Sequence, residues 1–457
     1  MTIIYLALGV IFIGIGIGLS KAFYAQIFSP ISAYALPFGF AFLLMALPII
    51  NYRPLSPGTL LALFLPLLAL ICGAFLGGIV SGRQKSGIIS DTGPRLLANK
   101  VRRILLLTYL FASAGLLLQF YYMARSFGGI SAIVMQPTVI YHTRVLYGFD
   151  FPSWVGYLVS LSYCGMYLAG SYTALAGWRN WYSIWTVLIV VGVALSSMGR
   201  ASILWAGLLI FNGNYLTHLV LGKAPKLRIS VRKLITYLIL ISLIIGATIY
   251  IRLIRAQDNF ESTQTRIGYA VNPVFLQNDS TLLRGIIHTY LNFTGPIPVL
   301  GERIDYPDPQ LGYGVKTFNA LFRMVIPTVG RYGPIRESSV LPGFNVFTAI
   351  GDWFYDFGWI GILFIPFVMG VLSSWLFYKA IRRSIGFWQM GLLAFSLLWL
   401  EWAIFFSMTY QGFFFIGLAW LLVVSHGVKY LRIPIRRQHS VRLRHSHLYS
   451  IPLTMQK

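Results

Sequence analysis

Charge is scarce in this 457-residue chain, and negative charge is scarcest: 11% of residues are Asp, Glu, Lys or Arg, and only twelve are acidic. A soluble domain carries about 25% charged residues. With 57% hydrophobic residues and a mean hydropathy of +0.72, the chain has too little polar surface to be covered by water. The composition predicts a polytopic membrane protein. Cysteine is nearly absent, and Cys72 and Cys164 both sit inside apolar runs, which excludes a disulfide framework and a Cys-based metal site and argues against redox chemistry. The N-terminal "MTIIYLALGVIFIGIGIGLSK" lacks the basic start and small-residue cleavage site of a secretory signal, so it is expected to stay as a membrane span.

What is present are long apolar windows. They predict about eleven helices, near 2–20, 31–50, 58–80, 101–123, 153–176, 181–197, 201–221, 234–251, 347–378, 387–406 and 410–428. Basic residues cluster between alternate spans: Lys21, 81–103, Arg179, 222–233, 379–383 and the tail 429–457 hold 23 Lys and Arg against one acid, Asp91. That bias marks cytoplasmic loops, puts the N-terminus outside and the C-terminus inside, and accounts for most of the net charge of +24. A nucleic-acid role is not expected; membrane lipid is the generic partner of such a surface. The expected organisation is one transmembrane domain over 1–428, including an outer loop at 252–346, followed by a basic cytoplasmic tail at 429–457.

The outer loop is different in kind. Segment 252–358 holds nine of the twelve acidic residues and nine basic ones, a mixture that sidedness does not explain. Within it, 280–301 and 315–326 are apolar at helical spacing but too short to span, and read as interfacial or re-entrant helices joined by Gly/Pro-rich turns.

Several residues there are candidates for chemistry. Arg252 and Arg255 lie three apart on one helical face, placed either to grip a diphosphate with two guanidinium forks or to snorkel to headgroups. Arg323, Arg331 and Arg336, in "FRMVIPTVGRYGPIRESS", form the better anion cluster. Arg200 occupies a short Ser/Gly turn between two spans, placed either to snorkel to headgroups or to share an anion with helix N-terminal amides. Asp352 and Asp356 are four apart on one face of a helix entering the membrane, a place where a carboxylate costs roughly 2.5–3.5 kcal/mol and is kept for a reason. Three uses stay open: pairing with arginine, binding metal, or taking a proton from an acceptor hydroxyl. Metal is the weakest, since the outer side offers only His142 and His288 and no Asp-x-Asp pair occurs. Glu337 and His288 complete the acid–base candidates, although a lone His is more often structural. Glu401, in "LLWLEWAIFF", is expected to pair with one of the arginines, and "GAFLG" at 73–77 has the small-residue spacing of a close helix crossing.

Taken together, "SSMGRASILWAGLLIF", a large outer loop and "PGFNVFTAIGDWFYDFGWIGILFIPFVMG" resemble the Wzy-type oligosaccharide repeat-unit polymerases of O-antigen, capsule and exopolysaccharide synthesis. The matching residues are Gly199, Arg200, Asn345, Thr348, Tyr355, Asp356, Phe357, Gly358 and Gly361. The resemblance implies a GT-C-like helical fold in a bacterial inner membrane with a periplasmic active face. It also implies transfer of a growing glycan from undecaprenyl diphosphate onto the non-reducing end of a new lipid-linked repeat unit. No cofactor is expected, metal is not required, and a chain-length regulator would be the partner. Asn345, Tyr355, Gly358 and Glu401 then take supporting roles, and Asp356 orients the arginine cluster. The alternatives are an O-antigen ligase-type transferase, which uses a loop His usually followed by Asn or Ser where His288 is followed by Thr289, and a lipid-linked oligosaccharide flippase. A flippase needs a polar path through the spans, and Glu401 is nearly the only charge there.

Overall fold

Apolar runs of this length fold as helices because only helices satisfy every backbone N–H and C=O within one segment away from water. A computed structural model of the chain describes residues 2–82, 94–129, 152–178, 181–197, 201–222, 271–272, 281–307, 310–325 and 348–430. Among these residues thirteen α-helices follow in order: α1 (Thr2–Tyr24), α2 (Pro30–Met45), α3 (Pro57–Gly82), α4 (Pro94–Phe127), α5 (Ser153–Ala176), α6 (Trp181–Ser197), α7 (Ala201–Val220), α8 (Thr281–Thr294), α9 (Pro296–Asp305), α10 (Asn319–Val325), α11 (Ala349–Ile381), α12 (Phe387–Trp402) and α13 (Gly412–Tyr430). A 3-10 turn, Met408–Tyr410, precedes α13. Extended pairing among the described residues is limited to a bridge between Ile50 and Val271.

By length and apolarity α1, α3, α7, α11 and residues Leu97–Phe127 of α4 can each cross a bilayer; α2, α6 and Gly412–His426 of α13 are apolar but shorter. The 16 residues of α2 rise only about 24 Å, less than the roughly 30 Å hydrocarbon core. Among the described residues the chain is helical, and five helices are long and apolar enough to cross a membrane, as in a multi-pass membrane protein, where eleven spans are expected from sequence. The expected span at 234–251 and the tail beyond 430 lie outside the described residues.

The main seam of the bundle is α3 against α11. A Cβ at Gly73 would collide with the Phe367 carbonyl, and one at Gly370 with the Leu70 carbonyl, so the two backbones touch. At Gly77 it would lie 2.5 Å from the Val371 oxygen. The small-residue spacing at 73–77 is thus a close crossing, as its pattern predicts.

Two helices of the 252–346 segment, α8 and α9, settle on this bundle. The run 280–301, which reads as one amphipathic helix, is broken between Thr294 and Pro296, because Pro296 has no N–H to extend α8 and instead begins α9. The α8 face buries Ile287, Tyr290 and Leu291 with Ile50, Val271 and Val299. The Tyr290 hydroxyl donates to the Leu44 carbonyl at 2.9 Å, and Tyr52 shares a hydrogen bond with Thr294. Burial pushes both phenols above the ordinary tyrosine range. α9 rests on the start of α3, where the Ser56 hydroxyl donates to Asp305 Oδ1 at 2.6 Å.

Candidate functional site

The site begins with a break in α11. Thr348 caps the helix by accepting the Gly351 N–H at 3.1 Å. The chain runs helically through "AIGDWFYDF" and then leaves the helix at Gly358, with φ 60° and ψ −149°. Only glycine enters that region without strain. A Cβ at Gly358 would meet nothing closer than Leu311 Cδ2 at 3.9 Å, so the backbone conformation, not crowding, calls for glycine. Next to the break, the carbonyls of Tyr355 and Asp356 accept loop amides: Gly312 N–H at 3.0 Å and Tyr313 N–H at 3.1 Å.

The Asp356 side chain completes the capture. Its Oδ1 accepts the Lys316 N–H at 3.2 Å and its Oδ2 the Thr317 N–H at 2.5 Å, and the residue is fully buried. Successive amides converging on one carboxylate form a small anion nest, here filled by a side chain of the same protein. Asp352, one turn earlier, is also buried; its Oδ2 accepts the Ser407 N–H at 3.1 Å. The Ser407 and Thr409 hydroxyls are 2.8 Å apart, and Thr409 donates to the Thr317 carbonyl. Segments 312–317, 348–356 and 403–409 are thereby knitted together, with the Ala349 N–H donating to the Ala403 carbonyl at 2.8 Å.

Two cations converge on the Tyr355 ring: Lys316 Nζ lies 4.2 Å and the Arg303 guanidinium 5.2 Å from its centroid. Both attract the Asp352 carboxylate, whereas Asp356 repels it. Arg303 is buried on α9, an unusual place for a guanidinium, and Lys316 is brought in by the same loop that Asp356 holds. The result is a cation pair on an aromatic face beside two carboxylates, at the end of α11 where segment 312–317 docks.

Of the residues singled out from sequence, Asp352, Asp356, Tyr355 and Gly358 come together here. Asp356 orients the 312–317 loop, with both of its oxygens on backbone amides, and not an arginine among the described residues. Arg323 is exposed on α10, and His288 falls on α8 with its imidazole outside the described set. Arg200, Arg252, Arg255, Arg331, Arg336, Glu337 and Asn345 lie outside the described residues. Glu401 lies on α12, where its described partner is the Asn212 amide of α7, donating at 3.0 Å to Oε2. Arg303 and Lys316 are the residues that sequence reasoning passed over. Nothing in their spacing marks them among nine basic residues of the loop, although an Arg inside a short, largely apolar helix such as "PIPVLGERID" is a usable signal.

Comparison with protein-family models, with curated proteins and with solved structures gave no match for this chain.

Proposed function

We propose that the chain is a membrane glycosyltransferase of the polymerase type, moving a growing glycan from a lipid diphosphate to the non-reducing end of a second lipid-linked repeat unit at the outer face of a bacterial inner membrane. The observation that carries this proposal is the Arg303–Tyr355–Lys316 cluster, held at the break of α11 by Asp356 and Gly358 within the segment that bears the resemblance. In such a transfer the bond from the sugar's anomeric carbon to the diphosphate oxygen breaks. The acceptor oxygen bonds that carbon, and the acceptor's proton needs a base. Arg303 and Lys316, with the arginines expected from the loop, offset the charge that gathers on the leaving diphosphate. Asp352 is the carboxylate suited to take the proton: among the described residues only its Oδ2 is bonded, while both Asp356 oxygens are occupied.

The test is direct. Protein purified into lipid nanodiscs and given a lipid-diphosphate-linked repeat unit should build a ladder of multiples of that unit, and Asp352→Asn should abolish the ladder while leaving donor binding intact. A product extended only when a lipid A acceptor is supplied would make the chain a ligase. No transfer to either acceptor would remove the transferase assignment.

A further inference from the structure

Between α5 and α13 the bundle surface opens into a groove of about 540 Å³, within the size range of ligand pockets. Tyr157 and Leu161 form one wall; Ile416, Ala419, Trp420 and Val423 form the other, and no charged side chain lines it. The wall is built, not incidental. Trp420 is fixed by an indole N–H donated to Thr108 Oγ1 at 2.9 Å and by the Phe111 ring 5.6 Å away at an edge-on angle. Leu158, also on the groove, packs against Gly115 of α4.

Its position ties it to the cation cluster. Tyr163 of α5 stacks on Phe413 at 4.0 Å, in the first turn of α13. Four residues before that turn, Thr409 holds the Thr317 carbonyl, and Ser407 holds Asp352. α10 packs on both the 3-10 turn and α13. From Ile416 to Val423 α13 rises about 10 Å. The groove therefore starts near the end of the bundle that carries Arg303, Lys316 and Tyr355 and descends along an apolar helix pair.

We infer that this groove holds the hydrocarbon chain of the lipid-linked donor, running down from a diphosphate held at the cation cluster; the inference rests on the transferase reading above. A groove lined almost wholly by apolar atoms gives an apolar chain continuous dispersion contact. A phospholipid acyl chain fits the same walls, but its headgroup offers the cations one phosphate charge where the donor's diphosphate offers two. Arg303 and Lys316, at that end of the bundle, favour the donor's diphosphate over the single phosphate of a bulk phospholipid.

The experiment uses the full-length protein in nanodiscs and a polyprenyl diphosphate with a diazirine on its isoprenoid chain. Cross-linked peptides should come from α5 and α13. Unlabelled polyprenyl diphosphate should suppress them, and phosphatidylglycerol at equal concentration should not. Ala419→Trp, which fills the groove from an exposed position, should cut labelling about tenfold because the indole occupies the ligand's volume. Leu422→Trp, exposed on the same helix but off the groove, should leave labelling unchanged. In the transfer assay Ala419→Trp should weaken use of a long-chain donor and spare a short, water-soluble one. Labelling elsewhere, equal competition by phosphatidylglycerol, or no response to Ala419→Trp overturns the inference. Specific labelling in a protein that transfers nothing upholds the groove and counts against the transferase. Transfer without specific labelling does the reverse.

Discussion

Asp356 and Thr317, 39 residues apart in the chain, are joined by a 2.5 Å hydrogen bond from the Thr317 N–H to Asp356 Oδ2, and the adjacent Lys316 N–H takes the other oxygen at 3.2 Å. This joint makes segment 312–317 part of the helix end. It also places the Lys316 ammonium over Tyr355.

Replacing Asp356 separates an anchor from a base. Asp356→Asn keeps one acceptor oxygen but turns an NH₂ group toward a backbone N–H, so one of the two bonds is lost. Asp356→Ala leaves two buried amides unpaired, at about 1–3 kcal/mol each. Partial polymerisation is expected for Asn and little for Ala, with proteolytic cleavage of the 306–316 segment rising in the same order. Complete loss in both variants, with the loop as resistant to protease as in the wild type, would assign Asp356 to the chemistry instead.

Gly358 and Gly73 are indispensable for opposite reasons. At Gly358 there is room for a Cβ, and the cost of Ala is conformational, about 1–3 kcal/mol for a residue forced into a glycine-only region. At Gly73 the backbone is ordinary helix, and the cost comes from prising α3 away from the Phe367 carbonyl. Thermal unfolding in detergent should show both variants destabilised. Only Gly358→Ala should release the 312–313 amides to hydrogen exchange, and unchanged protection there would mean that the break tolerates a side chain.

Much of this arrangement was visible in the chain. Apolar windows located the membrane-length helices among the described residues, though the start of α4 lies seven residues before its window and α2 stops five residues short of its own, and Gly73 and Gly77 announced the crossing. Asp352 and Asp356 stood out as acids four apart in an apolar run, and they do share one buried site. Their uses were hidden, because the amides that Asp356 takes lie about forty residues upstream and the one that Asp352 takes lies 55 residues downstream. Arg303 was hidden for the same reason. What selects it is the docking of α9 on α3 through Ser56 and Asp305, a tertiary event without a local pattern. Glu401 drew an expectation of an arginine because charge seeks charge. The described partner, Asn212, carries none and gave no sign in the sequence.

The docking of α8 and α9 should depend on pH in one direction. The phenols of Tyr52 and Tyr290 are raised by burial, so the folded state prefers them protonated. Their contribution is fully present below the ordinary tyrosine value near 10 and is lost as pH climbs toward the raised folded values. Hydrogen exchange across 281–305 should be flat from pH 6 to 9, after correction for the intrinsic rate, and rise above about 10. The paired variant Tyr52→Phe/Tyr290→Phe, which cannot ionise, should lose that rise. Its persistence would place the titrating group elsewhere.

Tyr355 offers the sharpest test of the cation cluster, because its ring and its hydroxyl make different predictions. Attraction between a cation and an aromatic face is worth about 0.5–2 kcal/mol, depending on desolvation. Two cations share this ring, one of them buried. Tyr355→Phe keeps the face and should retain near-normal transfer. Tyr355→Leu keeps apolar bulk but removes the quadrupole, freeing Lys316 and Arg303 to move. A loss of about 1.4 kcal/mol corresponds to a factor of ten, so kcat/KM for the lipid donor should fall by about that factor. If the ring acts by holding Lys316, then Tyr355→Leu should cost less in a Lys316→Gln background than in the wild type, since the Lys316 contact is already gone and only the Arg303 contact is left to lose. Additive losses would mean that the residues act independently. A Tyr355→Phe variant as damaged as Tyr355→Leu would shift the role from the ring to the hydroxyl, and the cluster would then be a hydrogen-bonding site for the acceptor sugar, not a cradle for the diphosphate.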